Sequence, residues 1–174
     1  MRRLGVIVAL SALLGMVGGV ATAAPALAGG RGDGWEFLDL PPTFTVPAEF
    51  CGFEVQGTQL VNKQFQKELK TADGSMIILS NGALKNTLTN PANGKSVTVS
   101  TGPAKFIGHP DGSLTALETG HQVSVLFPAD AARFGLPIFF ASAGALRANV
   151  DPDGNLTSVS LQGHVLVDVC AALS

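Results

Sequence analysis

The stretch Asn155-Leu156-Thr157-Ser158-Val159-Ser160-Leu161-Gln162-Gly163-His164-Val165-Leu166-Val167-Asp168-Val169-Cys170 decides the fold class. Every second residue (Val159, Leu161, Gly163, Val165, Val167, Val169) makes one apolar side. The residues between (Ser158, Ser160, Gln162, His164, Leu166, Asp168, Cys170) are mostly polar. A period of two marks a half-buried strand. A strand this long needs a core on one side, and it follows the turn signal Asp151-Pro152-Asp153-Gly154.

Turns of the same kind recur upstream. Asp73-Gly74, Asn90-Pro91-Ala92-Asn93-Gly94-Lys95 and His109-Pro110-Asp111-Gly112 separate apolar alternations. In each, proline or aspartate presets the turn and glycine accepts positive φ. Asn81-Gly82 reads as a bulge inside one bent strand, residues 75–89. Residues 59–70 fit both a helix and a strand; the turn that follows them favours a strand hairpin. Residues 50–55 alternate as a first strand. Ala129-Asp130-Ala131-Ala132-Arg133-Phe134 reads as one helical turn ended at Gly135. The fold class is therefore all-β: an antiparallel meander of about nine strands, closing into a small barrel, with a β-sandwich as the alternative. Closure would remove the exposed edges.

The beginning of the chain reads as an address. Met1-Arg2-Arg3 is basic, residues 4–21 are apolar and uncharged, and small-residue cleavage patterns end at Ala23 and at Ala28. That is an export signal, expected to be helical and then removed, leaving no membrane span. Residues 1–28 are assigned to the signal peptide, 29–49 to a flexible linker and extended arm, and 50–174 to the barrel domain. Arg31-Gly32-Asp33 falls in the linker and reads as solvated chain. Prolines 41, 42 and 47 keep the arm out of a central ladder.

Taking Arg2 and Arg3 from the 11 basic residues leaves nine against 13 acidic ones, a mature net charge of −4. A mildly acidic surface disfavours nucleic acid and anionic membranes as partners, and neither is expected. About 146 residues remain, enough for a single core and a monomer. The chain has only two cysteines, Cys51 and Cys170, and no Cys-x-x-Cys pattern. In an exported protein this reads as one structural disulfide rather than free thiols or a redox pair. It would tie the first strand to the last.

Phe50-Cys51-Gly52-Phe53, the turn from Thr89-Asn90-Pro91 through Gly94-Lys95-Ser96-Val97, Gly102-Pro103 and the terminal Cys170 together resemble a group of uncharacterised exported bacterial proteins. The resemblance implies secretion and a small all-β, barrel-like fold, and carries no activity. The architecture is also similar in shape to small barrels of the lipocalin or allene oxide cyclase kind.

No residue is singled out as catalytic. His109, His121 and His164 lack ligand spacing, so no metal is expected. Asp151, Asp153 and Asn155 open like a calcium loop, but glycine comes at the fourth position and Gln162 replaces the closing glutamate. No Gly-x-Ser-x-Gly elbow occurs. Glu54, Glu68, Glu118 and Asp168 fall in strands and read as solvated faces. No cofactor is expected. The run Phe134, Leu136, Ile138, Phe139 and Phe140 is the candidate ligand-binding mouth, or else a plug at one end of the barrel. The reading is a secreted, non-enzymatic protein that binds an apolar small molecule or a cell-envelope component. The alternatives are a cofactor-free cyclase-type or isomerase-type enzyme and a structural module with a packed interior.

Overall fold

A computed structural model describes residues 33–174 and a two-residue strand, β1 (Val8–Ala9). The signal peptide expected at 1–28 and the linker as far as residue 32 otherwise lie outside the described residues. The proline-bearing segment ahead of residue 48 is paired. Its strands β2 (Glu36–Phe37) and β3 (Thr43–Val46) run antiparallel to β5 (Phe65–Lys70) and β4 (Val55–Asn62). Pro41 and Pro42 lie between β2 and β3, opposite the corner Lys63-Gln64 that separates β4 from β5. A proline-bearing arm is tolerated there because it forms an edge.

The same corner recurs in the next two strands. β6 (Met76–Asn81) and β7 (Leu84–Thr89) part at Gly82-Ala83, so the single bent strand expected over residues 75–89 is two strands, one in each sheet. β8 (Ser96–Thr101) and β9 (Ala104–Gly108) part at Gly102-Pro103. Two long strands, β10 (Leu114–Val125) and β11 (Phe139–Val150), and β12 (Leu156–Asp168) complete the meander. One sheet runs β12-β11-β10-β9-β6-β5-β2, with β1 beside β10; the other runs β3-β4-β7-β8.

The registers align the corners. Asn62 pairs with Leu84 and Phe65 with Asn81; Leu84 pairs with Thr101 and Ser80 with Ala104; Ala104 pairs with Glu118. These pairs set Gln64, Gly82 and Gly102 level with Gly120, which is itself opposite Gly144, which is opposite Gly163. A row of five glycines thus crosses five adjacent strands. Two positions show why side chains are absent. A Cβ on Gly82, whose φ is +121°, would sit 2.0 Å from the Lys63 carbonyl oxygen. A Cβ on Gly163 would sit 1.9 Å from the Ala143 oxygen. At Gly82, Gly144 and Gly163 the backbones approach too closely for any side chain, whereas Gly120 has open space and takes a positive φ of 77°.

Beyond the row the ribbon splits. Gly102 N–H donates to the His121 oxygen at 2.7 Å and Thr119 N–H to the Pro103 oxygen at 3.1 Å. Past these bonds β10 leaves β8, whose only ladder partner among the described residues is β7. The expected barrel therefore does not close: β3 and β12 share no ladder among the described residues, and two antiparallel sheets result. The parted ends of β10 and β11 are covered on both faces, so residues 122–126 and 139–142 are all buried. Their even-numbered neighbours Leu126 and Phe140 join one core with Ala104, Phe106, Ala116, Leu146, Ala148 and Leu156. Their odd-numbered neighbours Val123, Val125, Phe139 and Ala141 join a second core with Val46, Val55, Leu88 and Val99 of the smaller sheet.

Among the described residues, three short helices accompany the strands. α1 (Ala48–Cys51) lies between Pro47 and Gly52, which takes the left-handed conformation that ends it. α2 (Pro128–Phe134) starts on proline, one residue ahead of the turn expected at 129–134, and ends at Gly135. α3 (Val169–Leu173) is capped by Asp168, whose carboxylate accepts from Ala171 N–H at 3.1 Å. Cys51 and Cys170 are bonded, with Cα atoms 5.1 Å apart. The bond joins two helical turns rather than two strands, which corrects the expectation that residues 50–55 begin the first strand. Leu173, fully buried, accepts hydrogen bonds at its carbonyl from Asn90 and Asn93.

Candidate functional site

Side chains that share a rung of a ladder share a face. Ser80, Ala104, Glu118 and Leu146 form one rung across β6, β9, β10 and β11. Ala104 and Leu146 belong to the first core, so Ser80 and Glu118 point the same way. On the far side of the glycine row Gln122 lies opposite Ser142, and Ser124 opposite Phe140. Val123 and Val125 face the second core, so Gln122 and Ser124 alternate onto the side of the first. Glu118, Gln122, Ser124, Ser142 and Ser80 therefore share one interior face on either side of a row that carries no side chains. Gln64 stands at the end of that row, its amide donating to the Thr101 hydroxyl at 3.3 Å.

These groups are buried without partners. Gln64 Oε1, Ser80 Oγ, Glu118 Oε1, Gln122 Nε2 and Oε1, Ser124 Oγ and Ser142 Oγ have no hydrogen-bond partner among the described protein atoms. Each such group costs roughly 1–3 kcal/mol. Seven together cost on the order of 10 kcal/mol, comparable to the whole stability of a domain. Buried polar groups of this number require something to bond to.

Glu118 is the most demanding of them. Only 3% of it is exposed, and burial pushes its carboxyl up from 4.5 to about 7. No Lys, Arg or His among the described residues is buried. Lys105 sits next to Ala104 on β9, opposite Leu117, and so on the other face of the sheet. The expectation that Glu118 is a solvated residue is therefore corrected. The signal was present: Leu114 and Ala116 precede it at two-residue spacing, which puts Glu118 on the apolar side of its strand.

Phe134, Leu136 and Ile138 are half-buried and pack with Phe140 against the first core. Phe139 turns away into the second core. The aromatic run thus contributes four of its five residues to the core that also carries the polar face. Arg133 holds this segment down, donating to the Leu156 and Thr157 carbonyls at 2.8 and 3.0 Å and lying over the Phe134 ring. His109 bonds Thr115, which donates to Asn149, while His121 and His164 are exposed. The Asp151 carboxylate accepts from the backbone and side chain of Asn155, and this turn accounts for it.

Compared with known proteins, the chain matches no family model, no curated protein and no solved structure.

Proposed function

We propose that this chain is an exported, non-enzymatic protein that binds a small molecule, holding its apolar body against the first core and its polar end on the face carrying Glu118 and Gln122. The observation that carries this reading is the set of seven buried polar atoms without protein partners. Ligand sites combine apolar walls with a few convergent polar groups, and this face has both. The disulfide is compatible with an oxidising compartment, which supports export. The ligand is one that the cell envelope or the medium supplies.

Native mass spectrometry of the secreted protein tests the reading. The expected result is a fraction of molecules carrying a discrete extra mass that organic extraction removes. Only the bare mass, with no small probe bound in titration, would count against it.

A second reading is favoured by one feature. A buried acid that titrates near neutrality is suited to moving protons, as in a cofactor-free cyclase or isomerase. Among the described residues its buried Oε1 has no hydrogen-bonded partner that would orient it, so binding is the better-supported function. Chemical conversion of a bound ligand, lost in Glu118→Gln, would reverse that order.

A further inference from the structure

We infer that the polar face of the first core takes a small organic cation, an alkyl- or arylalkylammonium, with Glu118 as its counter-ion and Gln122, Ser124 and Ser142 as further acceptors. This rests on the small-molecule reading above and names the ligand class.

Six of the seven unpartnered atoms are oxygens and one is a nitrogen. The serine hydroxyls both donate and accept and the Gln122 amide nitrogen donates, while the carboxyl and the two amide oxygens need donors and Glu118 alone can carry a charge. Among the described residues no buried basic side chain supplies them. An anionic ligand would meet an acid and no cation. A neutral alcohol brings one donor only. A primary ammonium brings three N–H donors and a positive charge, and an opposite charge within a few ångströms draws a buried carboxyl into its ionised form. Hydrogen bonds to charged groups are also the stronger ones. The apolar part of the ligand would lie on Phe106, Phe140 and Leu146, which border the polar groups on the same face.

Another use of these atoms is weighed by the same test: a chain of internal waters would satisfy them with no ligand. The experiment is calorimetric titration of the full-length secreted protein with hexylammonium, hexanol and hexanoate at pH 7.5. These probes share a chain and differ in the polar end. The expected result is that hexylammonium binds about tenfold or more tightly than hexanol, that hexanoate does not bind, and that Glu118→Gln removes the difference. Hexanol binding as tightly as hexylammonium would overturn the cation and leave the small-molecule reading standing. Binding by none of the three, with a bare native mass, would overturn both. If Glu118→Gln does not fold, Ser142→Ala carries the test. Hexylammonium affinity should then fall about fivefold or more, and an unchanged affinity would contradict the assignment.

Discussion

Glu118 sets the chemistry at the scale of single residues. Its carboxyl is neutral in the folded protein over a range where the unfolded chain would ionise it. The folded state binds the extra proton, so stability is fully present below pH 4.5 and is lost as pH rises towards about 7. The loss amounts to about 3 kcal/mol. The turn aspartates Asp73, Asp111 and Asp151 act with the opposite sign and in another window. Hydrogen bonds from Thr71, Ser113 and Asn155 respectively hold their carboxyls below the ordinary 3.8, so their contribution is lost only in stronger acid. Urea melts should therefore show wild type weaker at pH 8 than at pH 5, while Glu118→Gln shows little change between them. Equal slopes for the two proteins would mean that another group titrates.

At the scale of elements, the glycine row explains the fold better than any single strand does. Gly82, Gly102, Gly120, Gly144 and Gly163 recur every 18 to 24 residues. The spacing is that of successive strands in a meander, but only the ladder registers reveal that the five are level. Gly163→Ala should destabilise by about 3 kcal/mol, because its Cβ would strike backbone rather than a movable side chain. Gly94→Ala, in an exposed turn with nothing within 4 Å, should cost about 1 kcal/mol. Thermal melts of the two variants check the contrast, and similar losses would mean that the row is not tightly approached.

Strands half-exposed on one side were legible in the sequence. The alternation Val159, Leu161, Val165, Val167 survives in β12, which is an edge strand, with a register shift near Leu166. The pattern fails where both faces are covered: Val123-Ser124-Val125-Leu126 is continuous burial, and its serine is as hidden as its valines. Helix α1, four residues long, is too short to show a period. Helix α3 continues the apolar alternation of β12 in sequence and changes geometry only at the Asp168 cap. For the same reason the polar face was not legible as a unit. Its members come from β6, β10, β11 and a corner, and pairing alone brings them together.

At the scale of the whole molecule, the disulfide ties the turn after the arm to the turn after the last strand, across 119 residues. It stands in for the ladder that a closed barrel would have had between β3 and β12. Loop-closure entropy for such a span is worth roughly 4–5 kcal/mol. Cys170→Ser should accordingly lower the melting temperature by about 10 °C, and an unchanged melt would show that α1 and α3 hold without the bond. With that bond in place, the first core can carry an interior face that is poorly satisfied by the protein itself, and the account depends on that face. The most direct measurement is a carbon-13 NMR titration of the Glu118 carboxyl, with and without hexylammonium. The account predicts a midpoint near 7 in the free protein that falls when the ammonium is added. A midpoint near 4.5 that the ammonium leaves unmoved would contradict it.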